Sequence, residues 1–301
     1  MESMSARSSG AEALVAHGVG RRFGRDVVAL EEIDLAFQPG LTIGIIGNNG
    51  SGKSTLLRLW AGNDRPSEGS VEVLGGDAEK DKSLRARIGY VAQSSALDPE
   101  MTGRETLRLF ANLYSLSWDE AAVISRFGLE PVVGRRVSEY SGGFRQRLHL
   151  AIGFFHDPEV LLLDEPTNRL DREGKRGLWD VISERKSRGR TTVVVSHDLG
   201  DVAKHCPEVV VLHHGRLVAA GDPEEIVRKH GFWTLRVDGS AVRQVPSKEE
   251  ALAAKDEFLA SPDHDFLGFH LTEPSLESAF ETLTGERFEA KREPRERGRR
   301  R

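Results

Sequence analysis

An α/β fold built on a buried, largely parallel sheet, with a small α+β appendage towards its C-terminal end, is predicted for this chain of 301 residues. From Leu14 to about Ala220, short strand-like runs alternate with helical patterns, the order that βαβ units produce. Several runs, VLLL at 160–163 among them, are apolar at every position, as strands covered on both faces must be. From about Gly231 the apolar runs shorten to FWTLRV and DFLGFHL, which marks a change of unit.

Taken in order, residues 1–12 are rich in Ser, Ala and Gly and read as a disordered tail. Strands are expected at LTIGIIG (41–47), SVEVLG (70–75), RIGYVAQ (87–93), VLLLDEP (160–166), TTVVVSHD (191–198) and EVVVLHHGRLVAAG (208–221). Helices are expected at Lys53–Trp60, Arg104–Leu116, Phe144–His156, Glu173–Lys186 and Asp198–His205, where apolar residues recur at helical spacing. In the appendage, PSLESAFETLTG (274–285) repeats that spacing, with Leu276, Phe280 and Leu283 as the face that packs on its own domain. The closing KREPRERGRRR carries seven basic and two acidic side chains and reads as solvated disorder. The expected division is a main domain over 13–230, an accessory domain over 231–288 and a basic tail over 289–301.

Composition narrows the function classes. Hydrophobic residues make up 38% of the chain and charged residues 30%, enough apolar material for a sizeable core. No run approaches the ~20 apolar residues of a membrane-spanning helix. MESMSARSSGAEA has no apolar centre and does not read as a signal peptide. The single cysteine, Cys206, excludes an internal disulfide framework and fits a reducing cytoplasm. A net charge of −5 argues against general nucleic-acid binding, and no specific nucleic-acid partner is expected.

GNNGSGKST (47–55) stands between an expected strand and an expected helix, the context of a phosphate-binding loop. Gly47, Asn48, Asn49, Gly50, Ser51 and Gly52 would wrap backbone N–H groups around phosphate oxygens, and Lys53 would bring a mobile positive charge to them. The Ser54 hydroxyl is a candidate Mg²⁺ ligand, with Thr55 beside it. A P-loop NTPase core acting on ATP follows as the expectation. In VLLLDEP, Asp164 and Glu165 stand at the carboxyl end of the apolar strand, the edge where open α/β sheets bind ligands. Neighbours on a strand point opposite ways, so the two acids have different tasks. Asp164 would hold Mg²⁺ directly or through water, and Glu165 would deprotonate a water attacking the terminal phosphate.

EYSGGFRQRLHLAIG (139–153) poses a further question. Ser141 is placed to cap a helix with Phe144, Leu148, Ala151, Ile152 and Phe155 as its apolar face. Gly142 and Gly143 leave bare backbone at its positive end, suited to an anion.

With the phosphate loop, SGGF and LLLDEP together, the chain resembles the ATP-binding subunits of ABC transporters over residues 14 to about 225. The family fold adds an antiparallel β subdomain and a helical subdomain, here about 94–158. YSGGFRQR (140–147) is similar to the family signature LSGGQ, which touches the γ-phosphate held by another subunit's phosphate loop. The resemblance therefore implies that Ser141, Gly142 and Gly143 meet a partner's ATP in a homodimer that sandwiches two nucleotides. It also implies that Gln93 senses Mg²⁺ and the membrane partner, and that His197 contacts the γ-phosphate. Asp171 of NRLD corresponds to an aspartate at the dimer interface, and Phe23 to the aromatic that stacks on adenine. Three departures stand out: Phe144 replaces the signature Gln, Tyr140 replaces its Leu, and Arg169 precedes Leu170 where a small residue is common.

The tyrosine-led signature and PSLESAFETLTGE resemble the daunorubicin-resistance branch of exporter ATPases. That branch implies a homodimer beneath a separate ABC-2 type permease, peripheral on the inner face of the cell membrane, with the helical subdomain gripping the permease. The alternative is a soluble ABC-type ATPase acting on ribosomes or DNA. One phosphate loop and one signature, with no room for a long coiled coil between Gln93 and Ser141, favour the exporter.

Overall fold

The computed structural model describes residues 12–24, 26–94, 97–114, 118–238, 240–259 and 268–289. Most of the two expected tails, the end of the helix expected to reach Leu116 and the start of DFLGFHL lie outside the described residues.

Strands β1 (Leu14–Phe23) and β2 (Val27–Phe37) pair antiparallel, from Leu14 opposite Phe37 to Phe23 opposite Val27. Strand β3 (Thr42–Ile46) leads into helix α1 (Lys53–Trp60), and β4 (Glu68–Val73) pairs antiparallel with β1. A short α2 (Lys82–Arg85) precedes β5 (Ile88–Val91). Helices α3 (Gly103–Leu113), α4 (Glu120–Arg126) and α5 (Gly142–Phe154), with a 3-10 turn at Val137–Glu139, fill the interval to β6 (Val160–Asp164). The chain continues through α6 (Arg172–Ser187), β7 (Thr191–Val195), α7 (Leu199–His205), β8 (Glu208–His213), β9 (Arg216–Gly221) and α8 (Pro223–His230). Strands β10 (Trp233–Val237) and β11 (Ser240–Val245), helix α9 (Lys248–Leu259), strand β12 (Phe269–Thr272) and helix α10 (Leu276–Thr284) follow.

The strands form three sheets: β2-β1-β4, β11-β10-β12, and a six-stranded sheet in the order β5-β6-β7-β3-β8-β9. In the large sheet every pairing is parallel except β8 with β9. Its residues alternate between two cores, as the strand period of two requires. On β6, Val160 and Leu162 enter a cluster with α1 and the β2-β1-β4 sheet, whereas Leu161 and Leu163 enter one with α6, α7, α8 and α10. All four are fully buried, each worth about 1.5–3 kcal/mol. Trp60 locks α1 beneath β1, its indole N–H donating to Val15 O at 3.0 Å. A third cluster, centred on Leu107, Leu129, Leu148 and Ala151, holds α3, α4 and α5 together.

Several expectations are corrected. SVEVLG is a strand as expected, though β4 starts two residues earlier, at Glu68, and it pairs antiparallel with β1 outside the parallel set. EVVVLHHGRLVAAG is two strands, since His214 and Gly215 take φ of 47° and 79° and turn the chain back. That is the positive-φ pair of a two-residue hairpin, which His-Gly signals more weakly than Asn-Gly. Helix α10, capped by Ser275 and ended by Gly285 in the left-handed region, does not pack within the appendage. Leu276, Ala279 and Phe280 join the main core beside Val209, Val211 and Ile226, with Leu283 at its margin. The appendage sheet has its own small cluster of Leu235, Val237 and Ala254.

Cys206 is free and buried, and burial pushes its thiol up to about 12. Phe280→Ala is expected to cost about 3–5 kcal/mol, measured as lost unfolding free energy in denaturant titrations. A loss under about 1 kcal/mol would show that α10 is not part of this core.

Candidate functional site

The phosphate loop links β3 to α1. Gly47 has φ of 155°, and a Cβ there would stand 2.2 Å from Leu212 O. At Gly52, with φ of 100°, a Cβ would meet Ala29 O at 2.5 Å. Only glycine fits either position, so the loop is a bare backbone cradle. Lys53 is buried, and its ammonium folds back to donate to Gly47 O at 2.7 Å and Asn48 O at 2.8 Å. A positive charge is thereby held at the loop itself. Asn48 and Asn49 turn outward to residues beyond α10: Asn48 Nδ2 donates to Arg287 O at 3.1 Å, and Asn49 Nδ2 lies 3.5 Å from Glu289 Oε2.

The loop opens on a cleft of about 330 Å³, within the usual range for small-ligand pockets. Ser54, Thr55, Gln93, Asp164, Glu165 and His197 line it. They converge because β3, β6 and β7 are parallel neighbours of one sheet and end at the same edge. Asp164 is 2% exposed at the last position of β6. Glu165 is not its strand neighbour, as the sequence reading supposed. The strand stops at Asp164, and Glu165 adopts φ of 54°, so a left-handed kink rather than strand alternation separates the two carboxylates. Such a conformation at a non-glycine residue costs about 1–3 kcal/mol and is held by its surroundings. Here the Glu165 N–H donates to Val195 O at 3.0 Å. His197 follows β7, and its Nε2 lies 3.1 Å from Glu165 Oε1 with both side chains almost wholly buried. Gln93 stands just past β5, exposed on the rim. Phe23, at the end of β1, is 39% exposed on the cleft wall beside Val27 and Val28, so it is a surface aromatic and not core. The Arg21 guanidinium covers its ring at 4.5 Å.

A glycine cradle with a resident ammonium, facing a buried carboxylate, suits the phosphates of a nucleotide. Comparison with known proteins agrees. A family profile described as "ABC transporter" matches residues 30–168. The chain is 36% identical to a daunorubicin resistance ATP-binding protein of Streptomyces coeruleorubidus, over 73% of this chain and 71% of that protein. The chain belongs to the ABC transporter family, as an ATP-binding protein. It is also 30% identical to the Nod factor export ATP-binding protein I of Rhizobium sp. (strain N33), over 90% of this chain and 97% of that one. Among solved structures, it is similar to an ATP-binding cassette described as dimeric, in a post-hydrolysis state bound to ADP and phosphate, with a TM-score of 0.64. That likeness has 25% identity and covers 69% of this chain and 98% of the other. The ABC chain binds and hydrolyses ATP.

The other residues singled out by the resemblance are elsewhere on the chain. Ser141, Gly142, Gly143 and Asp171 do not line the cleft of their own chain. Ser141 caps α5 as expected, its hydroxyl accepting from the Phe144 N–H at 3.3 Å. Asp171 caps α6 through the Gly174 N–H at 2.8 Å and pairs with Arg147 at 2.8 Å. That cap first, and then the guanidinium, lower its pKa. Three residues have contacts that sequence reasoning did not foresee. Gln146 donates to Pro166 O at 3.0 Å, Arg147 pairs with Asp171, and Arg169, at φ of 67°, lies against the signature glycines. Together they tie the start of α5 to the segment following Glu165. The only sequence signal was the basic run after the glycines.

Tyr140, where the family has Leu, is accommodated by a fourth such residue. It is buried, and a Cβ at Gly103 would stand 2.0 Å from its hydroxyl. Gly103→Ala is expected to lower stability by about 1–3 kcal/mol through overpacking. Tyr140→Phe, which removes the clashing oxygen, should recover most of that loss in a double-mutant cycle. Strictly additive effects would refute the contact.

Proposed function

We propose that this chain is the ATP-hydrolysing subunit of an ABC-2 type exporter, acting as a homodimer on the cytoplasmic face of the membrane beneath a separate permease. The observation that carries this reading is the divided site. The phosphate loop, Asp164, Glu165 and His197 share one cleft, while Ser141, Gly142 and Gly143 lie outside it. A bare-backbone helix terminus with no nucleotide of its own is complementary to the open side of a second copy's cleft. Relatives named for daunorubicin resistance and Nod factor export support export as the task, and the second aligns over 90% of this chain. Among the described residues no helix is long and apolar enough to cross a membrane, which agrees with a separate permease. Residues 94–158 are the part that engages it, and the β11-β10-β12 sheet with α9 forms the accessory unit.

The donor set fits Mg²⁺: the Ser54 hydroxyl, the Gln93 amide oxygen and the Asp164 carboxylate are hard oxygen ligands in one cleft. When bound, Mg²⁺ neutralises charge on the phosphate oxygens. The chain's own residues do the rest. Lys53 and the loop N–H groups of Gly47 to Thr55 hold the phosphates, and Phe23 stacks on adenine. Glu165 accepts the proton of a water whose oxygen bonds to the γ-phosphorus as the bond to the ADP oxygen breaks. His197, 3.1 Å from Glu165, fixes that carboxylate and reaches the γ-phosphate. Ser141, Gly142 and Gly143 of the second copy close on the same phosphate, with Asp171 at the interface. Loss of the bridging γ-phosphate then lets the dimer open.

Glu165→Gln tests this reading. It is expected to bind ATP normally, to lose hydrolysis by at least about 10²-fold, and to elute as a dimer with Mg-ATP but as a monomer with ADP. Near-wild-type hydrolysis would remove Glu165 from its role, and a monomer in both nucleotides would refute the sandwich. Phe23→Ala should weaken ATP binding by about 1–3 kcal/mol, in line with base–aromatic stacking, while Phe23→Trp retains it. Calorimetric titration of both variants distinguishes a stacking ring from a bystander.

A further inference from the structure

The segment after α10 runs back over the phosphate loop. Gly285 ends the helix in the left-handed region, and the Glu286 N–H donates to Thr284 Oγ1 at 3.1 Å, so Glu286 leaves the helix in a fixed direction. From there the chain crosses the loop's outer side: Asn48 Nδ2 donates to Glu286 Oε2 at 3.3 Å, and the Glu289 N–H donates to Asn48 Oδ1 at 2.9 Å. Phe288 rests edge-on against Phe280 at 5.1 Å and faces the His197 ring at 6.0 Å. The carboxylate of Glu286 arrives at the turn between β8 and β9, where two histidines stand together. His214 Nε2 is 3.3 Å from Glu286 Oε1, and His213 Nδ1 is 3.9 Å from Glu286 Oε2. One donor atom from each of the three residues lies within 4.8 Å of the others.

We propose that His213, His214 and Glu286 form a binding site for a divalent transition-metal ion of the zinc class, which pins the C-terminal segment to the β8–β9 turn beside the phosphate loop. Two imidazoles and a carboxylate are a common zinc donor set. Bonds of ~2.0–2.1 Å in a tetrahedral shell set neighbouring donors roughly 3.3 Å apart, the separation of His214 Nε2 from Glu286 Oε1 here. The site is also mechanically suited to a cation. His213 is largely buried and braced by Phe280, so one ligand is pre-set, whereas the exposed His214 can swing to close the remaining gap. Its donors come from stretches 72 residues apart in sequence, so a bound ion would cross-link the β8–β9 turn to the segment after α10. Water would complete the coordination from the solvent side.

The site is separate from the Mg²⁺ ligands assigned above, and its test needs no ATP hydrolysis. Untagged, chelator-treated, nucleotide-free full-length protein is titrated with Zn²⁺ alone by calorimetry, and the amide exchange of residues 286–289 is followed with and without the ion. Wild type is expected to take up one equivalent, with slower exchange in that segment when loaded. Glu286→Gln and His214→Asn should each weaken uptake at least about tenfold, because a direct ligand is lost. His17→Asn, which removes an exposed histidine beside Asp34, should change nothing. Absence of Zn²⁺ uptake, uptake unaffected by Glu286→Gln, or unchanged exchange on loading would each overturn the proposal, leaving the Glu286 contacts as plain hydrogen bonds.

Discussion

Burial of the parallel sheet on both faces is the constraint on which the rest of this molecule depends. Val160 to Leu163 of β6 are all fully buried, as are Ile43, Ile45 and Ile46 of β3 and Val193 to Val195 of β7. Strands so covered expose functional groups only where they end, and parallel neighbours end together. That is why a loop after β3, two acids after β6 and a histidine after β7 meet in one cleft although more than 140 residues separate Lys53 from His197. The register is pinned by cores above and below, which leaves the strand ends little freedom to slide.

Rigidity of that kind permits local strain where the chemistry is. Glu165 sits at a positive φ that a free chain would avoid, and Gly47 and Gly52 are pressed against backbone that no side chain would tolerate. The stretch that follows Glu165 is itself held from outside the sheet. Gln146 and Arg147, one turn into α5, bond to Pro166 O and Asp171. The helix that begins with the signature glycines is thus fastened to the segment that follows the acid of its own chain.

The C-terminal part adds a second fastening. Helix α10 contributes Leu276, Ala279 and Phe280 to the core of the nucleotide domain, and the segment beyond it lies along Asn48 and Asn49. The appendage sheet between β10 and β12 is therefore bracketed by two elements of the main domain, α8 before it and α10 after it.

The sequence by itself determined the phosphate loop, the buried strand that delivers Asp164, the capped signature helix and the α/β class, because each is encoded in neighbouring residues by spacing and turn chemistry. It also carried enough family pattern to indicate Gln93, His197 and Phe23. Only the tertiary structure decided the left-handed kink that separates Glu165 from Asp164, the transfer of β4 to the antiparallel sheet, the grip of Gln146 and Arg147 on the segment after Glu165, and the burial of α10 against Val209 and Val211. These arise from contacts between residues distant along the chain. An apolar helix face reads the same whichever surface covers it, and a strand-like run reads the same whichever neighbour pairs with it, so the choice rests with the packing of the whole.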